Sequence, residues 1–419
     1  MITAQIELWA AIIFAVAVVH TFFASQFAKL AQRQTHHAGI WLLLSEVEVV
    51  FGFWAMILLA VIALYAGTGE AVHYLEGRNF TEPLFVFVIM VLAASQPILA
   101  VVRALVAGLV KRMPMAPALA YCWVVLAIVP LLGSFITEPA AMTLAALMLH
   151  EKVLKQPLPE SFRYGLVGVL FVNISIGGVL TPYAAPPVLM VASKWGWDTA
   201  YMMQHFGWKA ALAVLFNASM FCILFRSRLG KLSYRHDQGQ REVPWLVSLI
   251  HLLLLSAVVM AAHHPAVFMG IFMLFLGIVQ AYPQYQQRLL LKEGMLVGFF
   301  LAGLITLGGM QQWWLQSLIA SLDSTVLYYG ATALTAVTDN AALTYLGSLV
   351  EGVDESFKYA LVAGAVTGGG LTVIANAPNP AGFSLLKGHF ANESIHPGKL
   401  FMAACLPTLV AIIAFRCLG

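Results

Sequence analysis

The sequence predicts an all-α integral membrane protein made of two inverted repeats, each with about five transmembrane helices, a re-entrant hairpin and a broken helix. Three observations support this prediction. Apolar residues make up 61% of the 419 positions and charged residues only 10%, which would leave large apolar patches on a protein surrounded by water. Many apolar runs are long enough to cross ~30 Å of hydrocarbon. Two interrupted apolar segments recur in the same order in each half.

The uninterrupted apolar runs place the full spans. The first run has neither a basic leading segment nor a small-residue cleavage site, so we expect it to be a span and not a removable signal peptide. The predicted spans are residues 8–27, 41–65, 84–108, 205–225, 244–262, 266–282, 294–311 and 400–418.

The interrupted segments carry the internal repeat. In the first half, "GSFITEPAAMTLAALML" is followed by a stretch broken at "GGVLTPYAAPP", and in the second half "LTAVTDNAALTYLGSLV" is followed by one broken at "GGGLTVIANAPNP". The sequence register sets Thr137-Glu138 opposite Thr338-Asp339. Ala-rich membrane helices can resemble each other by chance, but the repeated order of broken and unbroken segments favours a true repeat.

Loop charge predicts how the halves are oriented. We divide the chain into an N-terminal repeat (1–225), a basic linker (226–243) and a C-terminal repeat (244–419). The loop 151–163 is rich in Lys and Arg, whereas its counterpart 351–358 is mostly acidic. Because basic residues gather at the cytoplasmic face, we expect inverted repeats in a cell (inner) membrane, with the linker inside and both termini outside.

The interruptions themselves predict a class of function. Backbone in hydrocarbon must be hydrogen-bonded internally, so a non-helical segment is tolerated only against protein or a water-filled cavity. Hairpin arms of about 14 residues would rise ~21 Å and bring both tips near the membrane midplane. Glycines and prolines at 177–187 and 368–380 would open the broken helices at similar depth and expose carbonyls as ion ligands. This pattern is typical of secondary transporters that work by alternating access.

Glu138 and Asp339 are the candidate exchange groups. A buried carboxylate is costly unless it is protonated or paired with a cation, so H⁺ and Na⁺ (or Li⁺) would compete for the same oxygens. We rank Asp339 first because the Asn-rich break faces it. Either acid could instead accept hydrogen bonds from free N–H groups at its own helix start. The ion-binding and proton-coupling candidates are Asp339, Glu138, Asn340, Thr338, Thr137, Asn376, Asn379 and Thr181, of which Asp339, Asn340 and Asn376 are the expected Na⁺ ligands.

Three further polar residues lie within apolar runs. Glu46 and Glu48, two apart on the second span, and His20 are candidates for a proton path, although a lone helical histidine is more often a packing residue. The four cysteines lack the paired spacing of a disulfide or zinc framework. We expect no cofactor, with Na⁺ and H⁺ as transported ions. The expected partners are the lipid bilayer and a second copy of the chain, and not nucleic acid.

The tips "TEPAAMT" and "TDNAALT", together with both breaks, resemble the putative sodium/proton antiporter family of the ion-transporter superfamily, which also holds divalent-anion/sodium symporters and arsenite efflux proteins. The resemblance runs from about the third span to the last broken helix. It implies a scaffold domain, a transport domain that carries the hairpins, a homodimer and elevator-like movement. In the carboxylate-carrying relatives, Ser-Asn-Thr tips bind Na⁺ and a substrate carboxylate together. The acids at both tips of this chain depart from that pattern and would repel a dianion, which favours cation/proton exchange.

Three other functions stay open. An anion or metalloid transporter on the same fold would need a cationic residue or a Ser-Asn-Thr tip at the midplane, and the sequence shows neither. An intramembrane enzyme is disfavoured, since "LHEKVL" begins like a zinc-protease helix but has Leu154 where the second histidine would stand. A channel could use the same tips, and a saturable, pH-coupled flux would separate it from a transporter.

Overall fold

The computed structural model describes residues 4–33, 38–233 and 243–418, and every regular element in these ranges is helical. Short 3₁₀ and π turns join some of the α-helices. The α-helices are α1 (Ala4–Arg33), α2 (Ala38–Ser45), α3 (Val47–Ala66), α4 (Thr68–Glu76), α5 (Thr81–Ala93), α6 (Gln96–Arg112), α7 (Pro117–Ile136), α8 (Glu138–Leu149), α9 (Glu160–Gly177), α10 (Pro186–Trp195), α11 (Thr199–Met202), α12 (Trp208–Leu224), α13 (Arg226–Leu229), α14 (Trp245–Met260), α15 (Pro265–Ala281), α16 (Leu291–Gly308), α17 (Gln312–Ile319), α18 (Ser324–Thr335), α19 (Asn340–Ser348), α20 (Glu355–Gly368), α21 (Asn379–Leu386) and α22 (Pro397–Cys417).

The helix lengths and compositions confirm an all-α membrane protein. Two of the predicted spans, 244–262 and 266–282, correspond to the shorter apolar helices α14 and α15. Within the described ranges, six segments are long and apolar enough to cross a membrane: Ala4–Phe23, Glu48–Ala66, Pro117–Ile136, Thr199–Leu224, Leu291–Gly308 and Pro397–Cys417.

Two predicted spans are not continuous helices. The run 84–108 is divided into α5 and α6, which meet at an angle of 62°. Pro97 stands in the first turn of α6, and the residue before a proline disfavours helical backbone, so the helix restarts there. The run 41–65 is divided at Glu46, whose backbone is extended (φ −81°, ψ 113°). The sequence predicts that Glu46 and Glu48 lie on one continuous helix. In the structure they do not, because Glu46 precedes the start of α3.

The predicted hairpin arms of about 14 residues are also wrong for the first hairpin. Helix α7 has 20 residues, which is ~30 Å of rise and long enough to cross a membrane by itself. It starts at Pro117, a residue that suits the first helical position because it has no N–H to leave unpaired. In the second hairpin, α18 has 12 residues and α19 has 9, so the two hairpins differ in size.

The helices pack in two groups. Helices α1, α3, α5, α14, α15 and α16 form one group, here called the support bundle, and α7–α10, α12 and α18–α22 form the other, here called the tip bundle. In the support bundle α3 and α16 approach closely because Gly303 lies directly on the backbone of Gly52, where any Cβ would collide. Such small-residue contacts are how membrane helices gain packing without a hydrophobic driving force.

The tip bundle contains two crossed pairs of helices. Helix α8, which begins at the first tip, packs against α21, the second part of the later broken helix. Helix α19, which begins at the second tip, packs against α10, the second part of the earlier broken helix. These crossed contacts bring both tips and both breaks to one region. The repeat boundaries stay predictions, and residues 234–242 of the predicted linker (226–243) lie outside the described ranges.

Candidate functional site

The first tip is a single residue, Thr137, between α7 and α8. Its φ of 74° is a conformation that a β-branched residue rarely adopts, and its buried hydroxyl has no hydrogen-bond partner. The turn is held by a contact to the first break, where the Glu138 N–H donates to the Ala184 carbonyl at 3.4 Å. Backbone held in such a strained conformation concentrates at functional sites.

Glu138, the first residue of α8, has no exposed surface. Its Oε2 accepts a hydrogen bond of 2.8 Å from Nδ2 of Asn376, in the break of the other half, and its Oε1 has no partner. It does not cap its own helix. The carboxylate lies directly against Gly178, where a Cβ would meet Oε1, Cγ and Cδ. Glu138 therefore connects the first tip to both breaks and keeps one oxygen free.

The second tip is organised differently, because its acid caps its own helix. Asp339 is the N-cap of α19, and its Oδ1 accepts the backbone N–H groups of Ala341 (2.8 Å) and Ala342 (3.1 Å). The hydroxyl of Thr338, in the turn between the two helices, donates to the Leu334 carbonyl near the end of α18. This is the capping arrangement that the sequence left open as an alternative for either acid, and the structure shows it for Asp339.

Asn340, which follows the cap, is fully buried, and neither of its amide atoms has a partner. Its Nδ2 lies against Gly369, beside the Ser175 hydroxyl. Asn379 donates from Nδ2 to the carbonyls of Gly369 (2.7 Å) and Thr372 (2.8 Å). Asn340 is thus placed on the second break as Glu138 is placed on the first.

The buried polar atoms without partners concentrate in this region. Buried polar atoms are rarely left unpaired, so each exception needs an explanation, such as an ion or a water that binds there. Of the fifteen such side-chain atoms in the described ranges, seven belong to the tips and breaks: Thr137 Oγ1, Glu138 Oε1, Thr335 Oγ1, Asn340 Nδ2 and Oδ1, Asn376 Oδ1 and Asn379 Oδ1.

Backbone contacts place Glu138 opposite Asn340. The Glu138 N–H donates to the Ala184 carbonyl in the first break, and the Asn340 N–H donates to the Ala375 carbonyl in the second break at 3.1 Å. Both residues are also the first of their helices. The sequence register, which sets Glu138 opposite Asp339, is therefore one residue out of step with the structure.

A second pair of contacts gives the same result. Thr181 donates to the carbonyl of Ser134 at 2.5 Å, and Thr372 donates to that of Ala336 at 2.8 Å. The two acceptors, Ser134 and Ala336, are the same number of residues apart as Glu138 and Asn340, which is one more than the sequence alignment predicts. Aligning the similar segments "TEPAAMT" and "TDNAALT" hid this shift of one residue.

The predicted proton-path residues occupy different surroundings. Glu46 pairs with Lys292 at 3.2 Å. His20 uses both ring nitrogens, since Nε2 contacts the Leu44 carbonyl and Nδ1 accepts from Trp54, each at 3.0 Å, which is the packing role that the sequence analysis considered more common. Glu48 lines a cavity of about 30 Å³ together with Asp339 and Asn376. Of these three candidates, Glu48 thus lines a cavity that it shares with Asp339 and Asn376 of the site.

Sequence reasoning missed the residues against which the site is packed. Gly178 and Gly369 were recognised only as helix breakers, but they are the surfaces on which Glu138 and Asn340 lie. Ser134 accepts the N–H of Leu180 and donates to the Gly177 carbonyl, which fastens the first tip to the first break. The glycine pair in each break was the available signal, since a glycine that follows another often marks a close approach as well as a turn.

Gly178→Ala tests this packing. The backbone of Gly178 (φ −81°, ψ −4°) suits alanine, so the substitution acts only through its Cβ, which would displace the Glu138 carboxylate and break its bond to Asn376. We expect the ion transport that the sequence predicts to fall at least about tenfold, the equivalent of ~1.4 kcal/mol, with the fold retained. Gly270→Ala, in a helix with open space around the glycine, is the matched control and should transport normally. Equal activity of the two variants would contradict the packing.

Two histidines outside the site connect helices of the tip bundle. His150, after α8, and His389, after α21, place Nδ1 and Nε2 2.8 Å apart, so one ring donates and the other accepts. Burial lowers the pKa of His389 from its ordinary value, and the nearby charges of His150, Arg163 and Lys155 lower it further. Protonation of both rings would set two donors against each other.

The stability of the protein should therefore fall with acidification. Because the pKa of His389 is lowered in the fold, the unfolded chain binds the proton more readily than the folded one. The contribution of neutral His389 to the free energy of unfolding is therefore complete above about pH 6.5 and is lost as the pH falls below that value. Thermal unfolding in detergent between pH 8 and pH 5 should show a smaller loss for His389→Gln than for wild type. His73→Gln, at an exposed position, should behave as wild type. Identical pH profiles for all three proteins would exclude this role.

Comparison with known proteins covers the whole of this site. A family model described as "Putative Na+/H+ antiporter" matches residues 5–418, which include both tips and both breaks. Among curated proteins, none matches the chain.

Proposed function

The chain belongs to the putative Na⁺/H⁺ antiporter family, and from this membership we propose that it exchanges Na⁺ or Li⁺ for H⁺ by alternating access, with Glu138 as the exchange carboxylate. The family resemblance drawn from the sequence is thereby confirmed, and a transporter is indicated in place of an enzyme. The observation that carries the proposal is the fully buried Glu138 carboxylate with one free oxygen, bonded to Asn376, whose own amide oxygen has no partner.

A carboxylate in such a position has two stable loadings. A bare charge is costly away from water, so the group is stable when protonated or when paired with a cation. Because the same Oε1 would hold either partner, binding one ion displaces the other. Alternating exposure of that group to the two sides would then couple the two movements.

Neutral oxygens near Glu138 would complete the coordination of the cation. A hard cation prefers oxygen ligands, and the free oxygens of Asn340, Asn376 and Asn379 belong to the same two breaks and tips. Thr137 offers a hydroxyl without a partner, and the hydroxyls of Thr181 and Thr338, which donate to carbonyls, keep their oxygen lone pairs for a cation.

Asp339 has a supporting part in this proposal. Its Oδ1 is used by the cap, so the Na⁺ set expected from the sequence changes from Asp339, Asn340 and Asn376 to one centred on Glu138. Asp339 and Glu48 line the small cavity together with Asn376, and we place the proton's route there. A homodimer and elevator-like movement of the tip bundle against the support bundle complete the proposal.

A transport assay tests the function. Purified protein in proteoliposomes with an imposed pH gradient and an internal pH dye receives Na⁺, Li⁺, K⁺ and then dicarboxylates. Saturable dissipation of the gradient by Na⁺ or Li⁺ alone supports cation/proton exchange. Dissipation only by the dicarboxylates would replace it with an anion carrier, and non-saturating flux would indicate a channel.

The proposed orientation has its own test. Exposed Cys405 and Cys417 are first replaced by Ser, and single cysteines are placed at the exposed positions Lys155 and Ser356. We expect a membrane-impermeant maleimide applied to intact cells to label Ser356→Cys but not Lys155→Cys, because the acidic loop should be outside and the basic loop inside. Labelling of both from the same side would contradict the inverted repeat.

A further inference from the structure

A cavity of about 200 Å³ lies between the support bundle and the second tip, far more than the ~10–15 Å³ that one water molecule needs. Helices α1 and α3 form one wall and the second hairpin forms the other, and we call this space the hairpin cavity. Its walls are almost entirely apolar, with Phe14, Phe51 and Val18 on the support side and aliphatic side chains of α18 and α19 opposite.

Asp339 is the charged group of the hairpin cavity. Its Oδ1 accepts two N–H groups at the start of α19, and this contact with the helix N-terminus stabilises the ionised carboxylate. Among the residues that the structure describes, no Lys, Arg or His lines the cavity. A cationic ligand would therefore supply a counter-charge that the lining of the cavity does not provide.

The lining is a poor match for an inorganic cation and a good match for an organic one. An alkali ion needs several oxygens, and the side chains that line the cavity offer only those of Thr21, Thr338 and Asp339. Phe14 and Phe51, with ring centroids 6.1 Å apart, offer aromatic faces. Aromatic rings beside a carboxylate are the recognised surroundings of quaternary ammonium groups.

We propose that the hairpin cavity binds hydrophobic quaternary ammonium cations and that such a ligand inhibits exchange. The charged head of the ligand lies against Asp339 and the two aromatic rings, and its apolar body lies along α1. Inhibition follows because the occupant contacts both bundles and so resists their relative movement. The binding part of this inference is independent of the proposed function, whereas the inhibitory part rests on it.

The test uses benzyltrimethylammonium and its neutral isostere neopentylbenzene, in which carbon replaces nitrogen. The permanent charge prevents the probe from carrying protons through the membrane, so ²²Na⁺ uptake into proteoliposomes reports on the transporter alone. We expect the cation to inhibit uptake and to raise the thermal unfolding temperature of the purified protein, with at least about tenfold greater potency than the isostere. Equal potency of the two probes would overturn the proposal, because it would show partitioning without charge recognition.

A matched pair of substitutions locates the site. Val18→Phe fills the cavity and should weaken binding at least about tenfold, whereas Val19→Phe, at a position of α1 that is 52% exposed, should leave it unchanged. The thermal readout needs no transport activity, so it decides the matter even where a variant transports poorly. Ala342→Val, on the opposite wall, is the second filling variant. Unchanged binding in both filling variants would place the ligand elsewhere and overturn the proposal. Wild-type protein that binds the cation but exchanges no ions would refute the proposed function and not the cavity.

Discussion

Glu138→Gln is expected to abolish cation/proton exchange while the protein still folds. The substitution preserves the volume of the side chain and leaves an amide oxygen that can accept the Asn376 N–H, but it removes the charge that a proton or a cation neutralises. At about 4 Å and an effective dielectric constant of ~20, contact between a monovalent cation and a carboxylate is worth about 4 kcal/mol. Its loss corresponds to a decrease in cation affinity of roughly 1,000-fold. Uptake of ²²Na⁺ driven by a pH gradient in proteoliposomes measures the effect.

Asp339→Asn is the matched control for this prediction. Asparagine is about as good an N-cap as aspartate, so the hydrogen bonds to Ala341 and Ala342 should survive and the second tip should keep its shape. We expect this variant to keep at least about a tenth of wild-type exchange, a loss of ~1.4 kcal/mol or less. An inactive Asp339→Asn beside an active Glu138→Gln would return the exchange role to Asp339, which the sequence ranked first.

The regions of the site were predictable from the sequence because they break a simple rule. A hydrophobic run can stop being helical within a membrane only where something other than lipid surrounds it, so the interruptions at both tips and both breaks are enough to indicate the candidate site. The same reasoning named Glu138, Asn340, Asn376 and Asn379, whose unpartnered atoms the structure brings into the tips and breaks.

The roles of individual residues were not predictable, because they depend on shifts of a single residue. A shift of one residue in the register makes Asp339 the N-cap, the place that Thr137 has in the first tip, and moves Asn340 into the position that Glu138 occupies there. Pattern matching prefers the alignment of two acids and cannot detect such a shift. The contact of Glu138 with Asn376 joins residues 238 apart in the chain, and only tertiary packing determines it.

The two positions that correspond in the structure differ in chemistry. Glu138 lies on Gly178 and receives a hydrogen bond from Asn376, whereas Asn340 lies on Gly369 and has no partner for either amide atom. The chain therefore holds one acid and one amide in matching surroundings. If these surroundings are what make a carboxylate exchangeable, then a carboxylate placed at position 340 should also support exchange.

Transferring the acid from the first tip to the second is expected to restore part of the lost exchange. In Glu138→Gln the acid at Asp339 is still present, so an exchange role for Asp339 would leave activity in that variant. Adding Asn340→Asp places a carboxylate beside Gly369 and the Ser175 hydroxyl, in the position that corresponds to Glu138. Since the second tip has no donor equivalent to Asn376, the carboxylate lacks a charged hydrogen bond worth about 1.5–3 kcal/mol.

That deficit sets the size of the rescue. A shortfall of about 1.5–3 kcal/mol corresponds to roughly 1–10% of wild-type exchange, which ²²Na⁺ uptake resolves easily from the inactive single variant. Asn340→Asp alone, in a chain that keeps Glu138, shows whether the added charge damages the second tip. A double variant that folds but is as inactive as Glu138→Gln would mean that the bond from Asn376, and not the shared packing of the two tips, makes the Glu138 carboxylate exchangeable.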